Sequence, residues 1–296
     1  MESPILIIHP GALGDVLQAV PALRGLRART PGATLVLAGQ PRLGRLLVAL
    51  GVVDEARAFD GLGLEALFTD GPIPPALAEW LGGFARVVSW FGAREPTYRA
   101  RLGALAAELT VARPVPDDET PVWRHLLSTV PTSTLAESEA VAPIRPSGAR
   151  AASDALIIHA GSGGARKQWP PEHFAEAIGE VATRHAVAVV VHQGPADRAA
   201  VDALLARLDR PVERLVEPEL PALAAILSGA RAYLGGDSGI SHLAAAVGAP
   251  SVVLFPPAHL PRWSPWSSSA RPVAMTGDET PRVIRELEQL LSSASR

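Results

Sequence analysis

The hydrophobic positions of this chain fall into short continuous runs that alternate with longer segments of helical spacing. The first run, Ile5-Leu6-Ile7-Ile8, is followed by a turn with glycines and then by a helix-like stretch from Asp15 to about Arg29. Short apolar runs bounded by turn residues are typical of strands buried on both faces. Their alternation with helices predicts parallel strands and crossover helices, with two more strands in the first half at 34–38 and 86–89.

The same organisation begins again after residue 153. The run Ala155-Leu156-Ile157-Ile158-His159-Ala160-Gly161 repeats the pattern of residues 5–11. Two similar mononucleotide-binding halves would produce such a repeat. In this half we predict strands at 186–191, 231–235 and 251–255, and helices near 171–184, 195–208, 219–228 and 239–247.

The length of 296 residues suits two domains, each with its own apolar core. Regular patterning fades after about residue 110, and a stretch rich in proline, serine and alanine predicts a linker at about 142–153. We therefore expect an α/β protein with Rossmann-like domains at residues 1–147 and 148–296. A last helix, at about 280–292, could pack back on the N-terminal domain.

Composition narrows the class of protein. The formal charge of −3 comes without a long basic run, which gives no support to nucleic-acid binding. The chain has no cysteine, so disulfides, thiolate nucleophiles and cysteine metal sites are excluded. No stretch approaches the roughly 20 apolar residues that span a bilayer. We expect a cytoplasmic protein that is soluble or at most peripheral.

The first turn that carries chemistry is His9-Pro10-Gly11-Ala12-Leu13-Gly14-Asp15, at the carboxyl end of the first strand. Ligands bind at such strand ends, and Gly11 and Gly14 let the backbone approach one closely. The Asp15 carboxylate would repel a phosphate, so the hydroxyl group of an acceptor substrate is the more suitable ligand for this turn. Asp15 is either a general base for that hydroxyl or an N-terminal helix cap.

Hydride transfer is disfavoured. The dinucleotide fingerprint G-x-G-x-x-G is absent from this turn, and no acidic residue follows the second strand to hold a ribose.

The second turn runs from His159 to Pro171 and contains three glycines, Ser162, Arg166 and Lys167. The turn thus offers the groups that bind anions, namely backbone amides, a hydroxyl and two cations. It is therefore suited to a diphosphate. The alternative is a solvent loop with an incidental cation. Lys167 is the one lysine among 27 basic residues, either by chance or because a compact ammonium serves better there than a guanidinium.

The third turn, around Gly235-Gly236-Asp237-Ser238-Gly239, joins a predicted strand to a predicted helix. Ser238 is a suitable N-cap, and the amides of Ser238 and Gly239 could receive a phosphate. Asp237 could bind a sugar hydroxyl. His242, one turn into the helix, either contacts a phosphate or hydroxyl or is structural.

Together these segments resemble glycosyltransferase family 9, the ADP-heptose:lipopolysaccharide heptosyltransferase family. Three segments carry the resemblance, in the family's order along nearly the whole chain: Gly11 to Leu17, His159 to Pro170, and Gly236 to Gly239 with His242 to Ala246. The resemblance implies the GT-B fold, in which two Rossmann-like domains with mainly parallel sheets face a central cleft. It also implies inverting transfer without a metal or other cofactor, and the sequence has no D-x-D metal motif.

The resemblance also implies residue roles. Asp15 would be the general base, Lys167, Ser238 and Gly239 would contact the donor diphosphate, and Asp237 and His242 would contact sugar or phosphate. The implied reaction moves a heptose or related sugar from an ADP-sugar, or another nucleotide sugar, to a lipopolysaccharide-core or other cell-envelope glycan. Such an acceptor would bring the enzyme to the cytoplasmic face of the inner membrane.

One segment departs from the family. Where the family commonly has Phe-Gly-Pro-Thr, this chain has Phe255-Pro256-Pro257-Ala258, which leaves the donor open. Two other roles also stay open, a sugar-nucleotide epimerase and a transfer-inactive nucleotide-sugar-binding protein on the same fold.

The acceptor side is less defined. Arg94, Arg99 and Arg101 either meet an anionic glycolipid or are solvated. Trp80, Phe84, Trp90 and Phe91 are either core or membrane-facing residues.

Overall fold

The computed structural model describes residues 4–131, 135–146 and 154–293. The chain divides into two compact units, Met1–Ala140 and Val141–Arg296. The domain boundary predicted between residues 147 and 148 lies outside the described residues, as does most of the predicted linker. Its described part is not a free linker, because Ile144 is buried and its N–H donates to the carbonyl of Ala246 at 2.7 Å.

The first unit contains a five-stranded sheet in the order β3-β2-β1-β4-β5, and every neighbouring pair is parallel. Its strands are β1 (Ile5–Ile8), β2 (Leu35–Gly39), β3 (Glu55–Ala58), β4 (Arg86–Ser89) and β5 (Leu109–Val111). Its helices are α1 (Leu13–Gln18), α2 (Val20–Arg29), α3 (Pro41–Ala49), α4 (Pro75–Gly82), α5 (Pro96–Gly103), α6 (Val122–Ser128) and α7 (Glu137–Ala140).

The second unit contains a six-stranded parallel sheet in the order β11-β10-β9-β6-β7-β8. Its strands are β6 (Ala155–His159), β7 (Ala188–Gln193), β8 (Glu213–Val216), β9 (Ala232–Gly236), β10 (Ser251–Phe255) and β11 (Ala270–Ala274). Its helices are α8 (Pro171–His185), α9 (Arg198–Leu205), α10 (Leu220–Ser228), α11 (Gly239–Ala246), α12 (Leu260–Trp263) and α13 (Thr280–Ser293).

The central strands are apolar because helices cover both faces of each sheet. Every residue of β1, β6, β9 and β10 is buried. The predicted strands and crossover helices are therefore confirmed for the interior of both sheets. The last helix, α13, packs on α8, β9 and β10 of its own unit.

The segment after β1 differs from its prediction. It forms two helices, α1 and α2, with a break at Ala19. Pro21, near the start of α2, has no backbone N–H with which to continue the hydrogen bonding of α1. The first helix also begins at Leu13, so Asp15 is its third residue rather than its first.

In both units the strand order is that of a Rossmann fold, in which the chain reverses direction across the sheet at one point. That point lies between β1 and β4 in the first unit and between β6 and β9 in the second. Ligands bind at the carboxyl ends of the two strands that flank it. No helix in the described parts of the chain is long and apolar enough to cross a bilayer.

Candidate functional site

In the first unit, the turn after β1 is held tightly around His9 and Asp15. The Asp15 carboxylate accepts a hydrogen bond from the Ala12 N–H at 2.9 Å, so it caps α1. His9 Nδ1 accepts from the Gly11 N–H at 3.3 Å. A β-carbon added at Gly11 would lie 2.8 Å from Cε1 of His9 and 2.9 Å from Cβ of Asp15. Only glycine therefore fits at Gly11, whereas Gly14 lies inside the first turn of α1.

Neighbouring strands support the same turn. Gln40, which follows β2, donates through Nε2 to the carbonyls of Pro10 at 3.2 Å and Gly11 at 3.0 Å. Trp90, which follows β4, packs edge-on against His9 with ring centroids 5.6 Å apart. Burial lowers the pKa of His9 to about 4, so its imidazole is neutral at physiological pH.

A cavity of about 410 Å³ opens at the ends of β4 and β5. Its walls include Phe68, Trp90 and Phe91, and two arginines, Arg94 and Arg113, line it. An apolar wall with a few charged groups is the usual form of a ligand site. Arg113 lies in the stretch whose patterning fades, so sequence analysis missed it.

The other two arginines of the acceptor prediction are placed differently. Arg99 donates to the carbonyl of Val111 at 2.6 Å, and Arg101 donates to the carbonyl of Gly71. Both guanidinium groups thus support backbone in the first unit. The aromatic residues are part of this unit's interior. Phe84 belongs to a buried cluster against which Trp80 and Phe91 pack, and Trp90 is also buried.

In the second unit, the glycine-rich turn after β6 is anchored at one end and open in the middle. A β-carbon at Gly161 would lie 2.0 Å from Oδ1 of Asp197, so the chain passes directly against that carboxylate. At Gly163 and Gly164 an added β-carbon would meet no heavy atom of the described chain within 4 Å. The hydroxyl of Ser162 donates to the Gly164 carbonyl at 2.8 Å, which shapes the turn itself.

The turn places Lys167 next to the carboxyl end of β9. Its Nζ lies 2.9 Å from Oδ2 of Asp237, which is almost fully buried with 5% of its side chain exposed. Nδ1 of His259 lies 2.8 Å from the same oxygen. One buried carboxylate therefore holds two nitrogen groups. His259 was missed by sequence analysis because it lies just beyond the departing Phe255-to-Ala258 segment.

The helix α11 begins beside this group. Ser238 is its N-cap, and its hydroxyl accepts from the Ser241 N–H at 3.3 Å. Gly239 is the first helical residue. His242 is buried, and burial lowers its pKa to about 4, with Asp237 opposing that shift and Lys167 adding to it. The predicted donor residues Lys167, Asp237 and His242 are thus close enough to interact electrostatically.

A second cavity, of about 290 Å³, lies beside the glycine-rich turn. Arg166, Trp169, Pro256 and Pro257 are among its lining residues, so the departing segment forms part of its wall. Trp169 donates through Nε1 to the Glu279 carboxylate at 2.7 Å, and both side chains line the cavity.

Two Rossmann-like units in one chain, each with a glycine-containing turn at its reversal point, define a GT-B fold in the α/β class. The family model of glycosyltransferase family 9 (heptosyltransferase) matches residues 98–289, and the chain belongs to this family. The protein is therefore a glycosyltransferase, and the resemblance seen in its motifs is confirmed. A search of curated protein sequences found no match.

Solved structures have the same fold. The ADP-heptose lipopolysaccharide heptosyltransferase II of E. coli is 20% identical, with 99% of this chain and 100% of that chain covered and a TM-score of 0.73. A family 9 glycosyltransferase from Veillonella parvula is 17% identical, with 98% of each chain covered and a TM-score of 0.77. E. coli heptosyltransferase WaaC with ADP is 18% identical, with 98% and 99% covered and a TM-score of 0.71.

Proposed function

We propose that the protein is an inverting, metal-independent glycosyltransferase that moves a heptose or related sugar from an ADP-sugar to a cell-envelope glycan, such as a lipopolysaccharide core. The observation that carries the proposal is the Lys167–Asp237 pair beside the first turn of α11. A nucleoside diphosphate-sugar can be bound by these groups. The cation and the helix amides suit its phosphates, and the carboxylate suits a sugar hydroxyl.

The donor would bind in the second unit. Lys167 and the amides of Ser238 and Gly239 would contact the diphosphate, with Ser162 shaping the open glycine-rich turn. Asp237 and His242 would contact sugar or phosphate. The neutral His242 imidazole can donate one hydrogen bond to a phosphate oxygen without adding a buried charge. ADP is the expected nucleotide because one similar heptosyltransferase was solved with ADP and another is named for ADP-heptose.

In the transfer itself, an acceptor hydroxyl attacks the anomeric carbon from the face opposite the diphosphate. The bond between that carbon and the phosphate oxygen breaks, and its electron pair stays on the leaving ADP. Asp15 takes the acceptor proton as general base. Lys167 and the start of α11 stabilise the charge that grows on the leaving group.

The acceptor would bind in the first unit, along Gly11, Gly14 and the aromatic cavity. Arg94 and Arg113 line that cavity and could pair with anionic groups of a glycan. Arg99 and Arg101 would act indirectly, by supporting the backbone around it. An anionic glycolipid acceptor would place the enzyme at the cytoplasmic face of the inner membrane.

The proposal is tested with Asp15 variants. Asp15→Asn keeps an oxygen that can accept from the Ala12 N–H but cannot take a proton. We expect it to lower kcat roughly 100- to 10,000-fold in a donor-plus-acceptor assay, with ADP affinity unchanged. Asp15→Ala should show the same loss in rate and, in addition, lose about 1 kcal/mol of stability with its cap.

Full activity of a folded Asp15→Asn enzyme would leave Asp15 as a cap alone.

Product analysis with donor alone separates transfer from epimerisation, and failure to form product with a broad acceptor panel would favour a binding protein. Anomeric configuration of the product, read by NMR, decides whether transfer inverts. A requirement of turnover for added Mg²⁺ would contradict transfer without a metal.

A further inference from the structure

Three side chains that the proposed reaction does not use meet at the ends of β6 and β7. His159 ends β6, His192 lies beside it near the end of β7, and Asp197 follows in the turn before α9. The two histidines are 2% exposed. Their Nδ1 atoms are 3.0 Å apart, and Oδ2 of Asp197 lies 3.9 Å from Nδ1 of His159. We call these three residues the His–His–Asp cluster.

The spacing of the cluster matches the coordination sphere of a small divalent ion. One potential ligand atom from each of the three residues lies within 4.8 Å of the others. Two nitrogens at about 2.1 Å from one metal ion are separated by about 3.0 Å at a right angle and about 3.4 Å at a tetrahedral angle. The observed nitrogen pair is already at the first value. Oδ2 of Asp197, which is 3.9 Å from Nδ1 of His159, has to move closer to complete the set.

Protonation also favours metal binding. Burial lowers the pKa of both imidazoles to about 4, and His159 adds to the shift at His192 while Asp197 opposes it. Both rings are therefore neutral at physiological pH, which is the form that binds metal ions. One hydrogen can lie between the two Nδ1 atoms. When a metal ion binds, that hydrogen moves to Nε2 of its own ring, so no proton is released.

The third ligand is oriented before any ion arrives. Oδ2 of Asp197 accepts the N–H of Gly194 at 2.8 Å, and the carboxylate also packs directly against Gly161. Hydrogen bonds of this kind fix ligand carboxylates in metal sites. Two imidazoles and one carboxylate suit Zn²⁺ and similar first-row ions rather than Mg²⁺, which prefers oxygen ligands.

We propose that His159, His192 and Asp197 form a binding site for a divalent transition-metal ion, with Zn²⁺ as the best match. The ion would join the ends of two neighbouring strands to the start of the glycine-rich turn. Its role would be to fix that turn, and no bond of the proposed transfer passes through it. The proposal therefore does not depend on the function proposed above.

The test uses the full chain after treatment with a chelator. Isothermal titration with Zn²⁺ should show one site of micromolar or tighter affinity, and Co²⁺ should give visible absorption bands. His192→Gln and Asp197→Asn should weaken that site at least tenfold and remove the bands. His185→Gln is the matched control, because it removes a histidine of the same unit outside the cluster, and it should bind Zn²⁺ as the wild type does.

Two results would overturn the proposal. One is the absence of Zn²⁺ binding to the wild-type chain at 100-fold excess over protein; the other is unchanged affinity and stoichiometry in both cluster variants. Circular dichroism establishes that each variant is folded. If His192→Gln does not fold, Asp197→Asn decides alone, since its amide oxygen can still accept from the Gly194 N–H.

Discussion

Lys167 lies 2.9 Å from Asp237, and this pair joins two turns that follow neighbouring strands of one sheet. The carboxylate is buried, whereas about a third of the lysine side chain, 32%, is exposed. The ammonium can therefore turn toward a ligand while the carboxylate stays in place. Asp237 would keep the His259 contact at 2.8 Å when the lysine does so.

Replacing the lysine should weaken binding of ADP. Lys167→Ala removes a charge-assisted contact worth about 1.5–3 kcal/mol, so we expect the Kd for ADP to rise roughly 10- to 100-fold in isothermal titration. Lys167→Arg should recover only part of the affinity, because a planar guanidinium does not replace a compact ammonium. Arg207→Ala removes the same charge from an exposed position and is the control. Equal ADP affinity in Lys167→Ala and wild type would remove Lys167 from the donor site.

Two glycines of the same turn should respond oppositely to a methyl group. Gly161→Ala places its β-carbon 2.0 Å from the Asp197 carboxylate, so we expect a loss of about 1–3 kcal/mol in unfolding free energy. Gly163→Ala places its β-carbon in open space among the described residues and should leave stability nearly unchanged. Urea unfolding followed by circular dichroism measures both. Equal stability of the two variants would contradict the close contact at Gly161.

Acid should destabilise both units before carboxylates protonate. The pKa values of His9 and His242 are lowered from 6.5 to about 4 by burial, so the unfolded chain binds these protons first as pH falls. Stability is therefore fully present above pH 6.5 and declines between about 6.5 and 4. Each histidine contributes a slope of up to about 1.4 kcal/mol per pH unit. Urea midpoints across this range should fall less steeply in His9→Gln and His242→Gln, and unchanged slopes would contradict the prediction.

The bond between Trp169 and Glu279 should stabilise the second unit. Trp169→Phe keeps an aromatic ring but removes the donor 2.7 Å from the carboxylate, so we expect a loss of about 1–3 kcal/mol. Glu279→Gln should cost at least as much, because a single amide oxygen cannot accept both from the indole and from the Thr276 and Gly277 N–H groups that the other carboxylate oxygen binds. Thermal unfolding compares the variants. A Trp169→Phe protein as stable as the wild type would mean that solvent replaces this bond at no cost.

Much of the fold was predictable because buried parallel strands are apolar along their whole length. β1, β4 and β10 have the bounds that the sequence pattern predicted. The four strands that were missed, β3, β5, β8 and β11, are the edge strands of the two sheets. Of these, β3 reads Glu-Ala-Arg-Ala and β8 reads Glu-Arg-Leu-Val. Such segments carry no apolar run, since few of their side chains are covered, and only pairing to a neighbouring strand defines them.

The sequence predicted the turns that form the candidate sites, but not which side chains of different turns contact each other. Glycines and charges after strand ends indicated where ligands would bind. That Lys167 reaches Asp237 follows from β6 and β9 being neighbours, which no local pattern reveals. His192 and Asp197 gave no signal at all, because neither stands in a recognisable motif until β7 pairs with β6.

The charged outer strands have a further effect on how the chain behaves in solution. Unpaired strand edges attract other strands and promote aggregation, and charged side chains at an edge oppose this. Glu55 and Arg57 pair with each other on β3, and Glu213 and Arg214 stand on β8. The polar residues that make these strands hard to recognise in the sequence therefore also oppose edge-to-edge pairing of strands between copies of the protein.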